Sequence, residues 1–365
     1  MTKRLRSLDG LRGLAALVVV FHHSLLTDKI FAAPYGGWQG GQFPSAAWWL
    51  TSTPLHLLWG GSEAVYVFFV LSGLVLTRAA VRHGFAWRGY YRARLVRLYL
   101  PAWGALAFGA LLYELVPRTL SRDNSWWVNR HANALLFLPV RNDVLLVRTP
   151  DWLVSPLWSL KWEILFSAVL PLAVYGALRR PRLALVEAAA LVPLVWLGDH
   201  TGHESLVFLP MFGLGALVAV HFETLGAFAA GLSGGAWAAT ACVAGVLLTA
   251  SWTWGGGRWL ETIGALLVVL LFAFCPRVRG LGEGRRAQWL GTRSFSLYLV
   301  HEPIVVSVAL LLGASWTTIL FAVPLSLVAA HVFHRVVEAP CHRVARALSD
   351  VSKHDVVVQP TLGSA

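Results

Sequence analysis

The chain has few cysteines and few charged residues for its length. Only three of its 365 residues are cysteine, and the positions of Cys242, Cys275 and Cys341 fit neither a disulfide framework nor a metal site. Charged residues make up 13% of the sequence, which is about half the share found in soluble domains. Because 57% of the residues are hydrophobic, the composition predicts a membrane protein through most of its length, without a bound metal.

Acidic residues are scarce as well. The sequence has 18 Asp and Glu residues against 30 Lys and Arg residues, and its formal net charge is +12. In a soluble protein this excess would suggest a nucleic-acid partner. Here the basic residues cluster at the ends of apolar segments, where membrane topology and anionic lipids account for them. We therefore expect membrane lipids as partners, and no nucleic acid.

Long apolar runs divide the chain into about ten predicted transmembrane helices. They lie near 11–28, 62–79, 95–116, 157–178, 183–198, 204–222, 232–251, 259–276, 292–312 and 315–334. The basic connections fall on one side of a ten-span arrangement, which places both termini in the cytoplasm. The sequence thus predicts an all-α, multi-pass protein of a cell membrane. We expect one transmembrane domain over residues 1–340 and a disordered cytoplasmic tail over 341–365.

The first predicted span carries three ionisable residues on one side. Arg12 and His23 are 11 residues apart, which is about three helical turns and roughly 16 Å of rise. Asp9 shares their side of the helix. Ionisable groups are costly inside a bilayer, so this stripe predicts a functional site. Alternatively, Asp9 and Arg12 lie at the lipid headgroups and His23 only bonds a neighbouring helix. His22, turned by about 100° from His23, is expected to fix local packing.

Glu163, in the fourth predicted span, is expected at the same depth as His23. If the first span runs outward and the fourth runs inward, both residues fall in the outer half of the membrane. A histidine and a carboxylate at one level can perform general-base chemistry between helices. The alternative is a hydrogen bond that only joins two helices.

Arginines cluster where the third predicted span begins. Arg92, Arg94 and Arg97 lie within six residues at its cytoplasmic mouth. Guanidinium groups bind phosphate through two parallel hydrogen bonds, so the cluster could hold a nucleotide or pantetheine donor. The positive-inside rule alone would also place arginines here.

Small and ionisable residues inside other spans add further candidates. Ser72 and Gly73 favour close helix approach, with clearance for a long substrate as the alternative. His301 is a second site candidate near mid-membrane, and Pro303 is expected to break the helix beside it. Glu338 is expected either to pair with the arginine cluster or to be a solvated cap.

Taken together, these segments resemble the acyltransferase 3 family, integral membrane enzymes that O-acylate bacterial surface glycans and some secreted metabolites. The resembling motifs run in order along nearly the whole chain. They are Leu-Asp-Gly-Leu-Arg-Gly-Leu-Ala-Ala from Leu8 with His23, Phe-Phe-Val-Leu-Ser-Gly from Phe68, the arginine-rich segment from Arg94 to Pro101, Trp-Ser-Leu-x-x-Glu from Trp158, Ser-Leu-Tyr-Leu-x-His from Ser296 and Glu-x-Pro from Glu338.

The resemblance implies a multi-pass enzyme of the bacterial plasma membrane. Such an enzyme would move an acyl group, expected to be acetyl, from cytoplasmic acyl-CoA to a hydroxyl of a carbohydrate or glycosylated acceptor. The residues matching His23 and Arg12 would be essential to transfer, and the arginine motif would serve the acyl-CoA donor. His23 would act as general base or carry the acyl group transiently, while Glu163 would orient His23 or the acceptor.

Two other classes of function remain open from the sequence. A transporter or flippase of a polar glycan or metabolite would also need buried ionisable groups. The inverted repeats expected of many transporters are not evident in the sequence. A non-catalytic membrane subunit would show no dependence on His23.

Overall fold

The computed structural model describes residues 5–36, 45–82, 84–132, 137–146, 153–179 and 181–357, and these contain helices but no strand. The α-helices are α1 Arg6–Leu26, α2 Lys29–Ala32, α3 Ser45–Thr51, α4 Gly61–Ala80, α5 Trp87–Leu115, α6 Trp126–Arg130, α7 Phe137–Leu145, α8 Trp158–Arg179, α9 Ala184–Thr201, α10 Glu204–Val220, α11 Phe222–Ala230, α12 Gly234–Leu248, α13 Ala250–Thr253, α14 Arg258–Phe274, α15 Pro276–Glu283, α16 Arg285–Leu312, α17 Thr318–Phe333 and α18 Ala339–Val357. The predicted all-α fold class is confirmed.

The described residues include six helical segments long and apolar enough to cross a membrane. They are Arg6–Leu26, Gly61–Ala80, Trp87–Leu115, Ser155–Arg179, Arg285–Leu312 and Thr318–Ser349. Two sharply bent pairs, α10 with α11 at 72° and α14 with α15 at 83°, raise the number to as many as eight. The protein is therefore a multi-pass membrane protein. Helices also cover the other two predicted spans, as α9 and α12, but neither meets both criteria of length and apolarity.

Glycines let the central helices α1, α4, α10 and α16 approach one another closely. A methyl group at Gly73 of α4 would overlap the backbone carbonyl of Phe212 in α10, and one at Gly215 would overlap the carbonyl of Val70. A methyl group at Gly13 of α1 would likewise collide with the backbone of Gly291 in α16. The preferred interpretation of the Ser72 and Gly73 pair, close packing between helices, is confirmed.

Helix α16 continues through Pro303, so the expected break at this proline is wrong. The residues around it are buried from Leu297 to Ala309, and α16 packs tightly against α1 and α17. Membrane helices tolerate an internal proline when neighbouring elements hold the chain and satisfy its backbone. The helix therefore runs unbroken past the residues that it contributes to the centre of the bundle.

The tail is also more ordered than its polar sequence predicts. Helix α18 extends to Val357, although a disordered tail was expected from residue 341. It packs against α5, and its side chains Cys341 and Ala345 are buried. These small residues give the segment an apolar face, which explains the helix. Residues 358–365 lie outside the described part of the chain.

Candidate active site

His23 of α1 and His301 of α16 form a hydrogen-bonded pair inside the bundle. His23 Nδ1 and His301 Nε2 are 2.7 Å apart, and the two rings lie end to end, with centroids 5.0 Å apart and ring planes within 7° of parallel. The tight packing of α1 on α16, which Gly13 permits, holds the two helices at the separation that this bond needs. His301 is fully buried, whereas His23 is half-buried.

The backbone sets the proton positions in this pair. His301 Nδ1 lies 3.0 Å from the carbonyl oxygen of Leu297, and a carbonyl oxygen only accepts, so Nδ1 must donate. In the neutral ring, His301 Nε2 then accepts the Nδ1 proton of His23. This leaves the lone pair on His23 Nε2, which has no hydrogen-bond partner among the described residues. The geometry therefore presents His23 Nε2 as a proton acceptor.

Trp127 packs against the ring of His23. The two rings stack with centroids 5.2 Å apart at 19°, and Trp127 is only 5% exposed. Trp127 belongs to the short helix α6, which Ser125 caps by accepting a hydrogen bond from Val128 N at 3.2 Å. The same hydroxyl donates to the carbonyl oxygen of Leu26 at 2.7 Å. Helix α6 is thus tied to the end of α1, and the ring of His23 is held by its hydrogen bond to His301 and by the ring of Trp127.

Glu302 of α16 binds two segments from inside the bundle, the one around α6 and the one that leads into α8. Its buried carboxylate accepts a hydrogen bond from Ser155 N at 2.5 Å and another from the Ser155 hydroxyl. It also lies 3.1 Å from His131 Nε2, while His131 Nδ1 donates to the carbonyl oxygen of Trp127 at 2.8 Å. Both nitrogens of His131 thus face oxygen atoms. Because Nδ1 carries the proton donated to Trp127, the contact between His131 Nε2 and Glu302 needs a second proton, which lies between these two groups.

His22 takes the structural role expected for it. Its ring is buried and donates from Nδ1 to the carbonyl oxygen of Trp59 at 2.9 Å. It also packs against Gly61 at the start of α4. His22 therefore holds α1 to its neighbours.

Glu163 does not bond His23, which corrects the expected pairing. Its carboxylate lies 2.6 Å from Arg94 Nη2 and accepts a hydrogen bond from Ser72 at 3.3 Å. Ser155, at the level of Glu302, is eight residues before Glu163, so Glu163 lies about 12 Å deeper along α8. The two residues were expected at one depth, but His23 lies within one turn of the end of α1 at Leu26, whereas Glu163 lies more than one turn into α8.

One of the predicted donor arginines, Arg94, holds this carboxylate at the deeper level. Arg94 also donates to Ser167 at 3.0 Å, and the charges of Arg94 and Arg12 both act on Arg97. Arg97 is exposed, and neither it nor Arg12 has an ion pair among the described residues. Arg92 is likewise exposed and unpaired within the described chain. Unpaired guanidinium groups of this kind are suited to binding an anion such as phosphate.

The expectation that Glu338 is a solvated cap is wrong, because its side chain is buried. It accepts hydrogen bonds from the backbone and hydroxyl of Ser296 and from His334 Nδ1 at 3.0 Å, and His342 Nε2 lies 3.6 Å away. A π-helical turn over His334–Glu338 turns the carboxylate inward. Glu338 contributes to the field at Arg97 without an ion pair between them.

Asp9 lies where α1 crosses α16, with its backbone carbonyl directly against Gly291. The described chain brings no three His, Cys, Asp or Glu side chains into an arrangement that could hold a metal ion. Trp127, His131 and Ser155 were not among the residues predicted from the sequence. The spacing of four between Trp127 and His131, which places them on one side of a helix, was a usable signal.

The fold and site define a membrane-embedded protein whose first helix contributes His23 to a histidine pair and Arg12 to an arginine centre formed with Arg94 and Arg97. The acyltransferase domain family matches residues 5–335, so the chain belongs to this family and is an acyltransferase. It is 28% identical over 397 aligned residues to the acyltransferase MdmB of Streptomyces mycarofaciens, covering 93% of this chain and 92% of that protein. No solved structure matches the chain.

Proposed function

We propose that the enzyme transfers an acyl group, most simply acetyl, from cytoplasmic acyl-CoA to a hydroxyl of a carbohydrate or glycosylated acceptor. In this proposal the chain crosses a bacterial plasma membrane about ten times with both termini in the cytoplasm. The arginine centre then faces the donor, and the histidine pair faces the acceptor. The observation that carries the proposal is the His23 and His301 pair, which leaves His23 Nε2 free to accept a proton.

In the direct route, His23 Nε2 takes the hydroxyl proton while the acceptor oxygen attacks the thioester carbonyl. The carbon–sulfur bond breaks, and the CoA thiolate receives the proton from the His23 imidazolium. His301 keeps the ring in the tautomer that this step needs. An alternative route attacks the thioester with His23 Nε2 itself and passes through an acyl-histidine.

The donor's phosphates would bind Arg12 and Arg97, with Arg92 at the rim. Arg94 is already held by Glu163, so we assign this pair to shaping the site and assign the phosphate contacts to its unpaired neighbours. This division revises the equal roles that the sequence suggested for the three arginines of α5. The carbohydrate acceptor is supported by the resemblance to enzymes that acylate glycans.

The test compares wild type, His23→Ala and His22→Asn in membranes that display candidate glycans. Labelled acetyl-CoA is supplied, and acyl incorporation is followed by mass spectrometry. His23→Ala should lose about 100-fold or more of the rate, as expected when a general base is removed. His22→Asn keeps a donor for the Trp59 carbonyl and is the matched control. Equal incorporation by His23→Ala and wild type would overturn the proposed role of His23.

A further inference from the structure

A second polar cluster lies beside His22, away from the histidine pair. His56 and Glu63 are both buried, at 0% and 4% exposure, and His56 Nε2 lies 3.4 Å from Glu63 Oε1. Trp252 Nε1 donates to the same carboxylate oxygen at 2.9 Å. Tyr35 and Trp59 pack their rings around His56. We call these five residues the His56 cluster.

The His56 cluster has unused hydrogen-bonding capacity. Glu63 Oε2 and His56 Nδ1 are buried, and neither has a hydrogen-bond partner in the described part of the chain. Buried polar atoms are almost always paired in folded proteins, so each orphan atom calls for an explanation. A ligand with a hydroxyl group would satisfy both, because a hydroxyl donates and accepts.

A cavity of about 230 Å³ opens next to these two residues. His56 and Glu63 form its polar end, and the rest of the wall is apolar. Helix α1 contributes Leu11, Ala15 and Val18, which extend along roughly 10 Å of the helix. This stripe is turned by about 100° from the stripe of Arg12 and His23. The cavity is therefore separate from the surface that carries the proposed reaction.

We propose that this cavity binds a membrane amphiphile with one hydrocarbon chain and a neutral, hydroxylated head group. The chain would lie along Leu11, Ala15 and Val18, and a head-group hydroxyl would donate to Glu63 Oε2 and bond His56 Nδ1. The volume lies below the roughly 300–1,000 Å³ of pockets for drug-sized ligands, so the cavity accommodates one chain.

Charge selects the head group. No Lys or Arg lines the cavity within the described residues, and the carboxylate of Glu63 repels phosphate. A phosphate head group and the CoA donor are therefore excluded from this cavity. Glu63 attracts a quaternary ammonium head group, but such a head group cannot donate a hydrogen bond, so both buried atoms would stay unpaired.

The test uses three probes with the same eight-carbon chain: octyl β-glucoside, octyl phosphate and octyltrimethylammonium. Binding to the purified full chain in lipid nanodiscs is measured by native mass spectrometry below the micellar concentration of each probe. We expect one octyl glucoside per chain, bound about tenfold or more tightly than the other two, as for loss of one hydrogen bond to a charged group. Equal binding of any other probe would overturn the neutral, hydroxylated head group.

Two variants test the location. Glu63→Gln keeps an acceptor for Trp252 and should weaken octyl glucoside binding about tenfold, while Ala15→Leu should fill the apolar part and abolish binding. Ala190→Leu, at an exposed position on α9, is the matched control and should bind like wild type. Unchanged binding by Glu63→Gln overturns the proposal, and this variant decides the matter if Ala15→Leu does not fold.

Discussion

At the scale of single residues, hydrogen bonds fix the positions of two protons in the histidine pair. The carbonyl of Leu297 assigns the Nδ1 proton of His301, and His301 in turn assigns the Nδ1 proton of His23. A base held in the wrong tautomer presents N–H where it should present a lone pair, so the orienting group matters as much as the base. His301 is thus a positioning residue in the proposed reaction.

Replacing His301 tests this chain of protons. His301→Leu cannot accept from His23 and should lower kcat about 100-fold or more, with little change in KM for the acyl donor. His301→Gln offers an acceptor oxygen and should keep more of the rate. Steady-state kinetics with labelled acetyl-CoA measures both. Ser294→Ala, a buried change on the same helix, is the control. Equal kcat for the Leu and Gln variants would contradict the tautomer argument.

Arg97 provides the second residue-scale prediction. It is exposed and without an ion pair in the described chain, so it can contact a phosphate directly. Arg97→Ala should raise KM for acetyl-CoA about tenfold or more, as for loss of a hydrogen bond to a charged group. Acetyl-dephospho-CoA, which lacks the 3′-phosphate, distinguishes a direct contact between Arg97 and that phosphate from a general effect of the arginine's charge. If Arg97 binds that phosphate, removing it should weaken wild type and leave the variant unchanged. Equal losses in both would assign Arg97 to another part of the donor.

At the scale of helices, close backbone contacts at glycines set the positions of the site residues. Gly73 and Gly215 bring α4 against α10, and Gly13 brings α1 against α16. The first contact positions Ser72 to donate to Glu163, and the second positions His23 opposite His301. The glycines thus fix both centres by allowing backbones to touch.

Gly73→Ala should therefore destabilise the protein by about 1–3 kcal/mol, the usual cost of overpacking. Its added methyl group would overlap the carbonyl of Phe212, so α4 and α10 must move apart. Gly176→Ala is the control, because nothing lies within 4 Å of the added methyl group at that exposed position of α8. The control should change stability by at most about 1 kcal/mol, in the stabilising direction. Thermal unfolding in detergent measures both, and equal shifts would contradict the close-contact argument.

The helices could be predicted from the sequence because each apolar run carries its own local signal. The pairings between helices could not, because they depend on depth and on distant segments. Glu163 was expected beside His23, but its position along α8 places it beside Arg94. His131 reaches Glu302 across 171 positions of sequence, and no local pattern encodes that contact.

Glu302 supports the segment around α6, and its removal tests that role. Glu302→Ala would leave the backbone of Ser155 and one nitrogen of His131 unpaired, at about 1–3 kcal/mol for each buried group. We expect faster hydrogen exchange over residues 126–132 and 153–157, measured by mass spectrometry in nanodiscs. Glu114→Ala, at an exposed position on α5, should leave exchange in both segments unchanged. Unaltered exchange in Glu302→Ala would show that other contacts hold the segment.

At the scale of the whole molecule, α1 connects two chemically different ends. Arg12 lies at the arginine centre, and His23, roughly 16 Å further along the helix, lies at the histidine centre. A donor bound through its phosphates at the arginine end and an acceptor hydroxyl at the histidine end could thus approach each other from opposite ends of α1. This arrangement requires that the arginine end face the cytoplasm, where acyl-CoA is available.

The proposed orientation depends on whether α9 crosses the membrane. With about ten spans, Arg182 lies on the cytoplasmic side and His203 on the outer side, because α9 separates them. Single cysteines at these two exposed positions, in a chain whose native cysteines are replaced by serine, distinguish the arrangements. His203→Cys should react with a membrane-impermeant maleimide in intact cells, and Arg182→Cys only after permeabilisation. Labelling of both cysteines from the same side would show that α9 does not cross the membrane, since a helix that does not cross leaves its two ends in the same compartment.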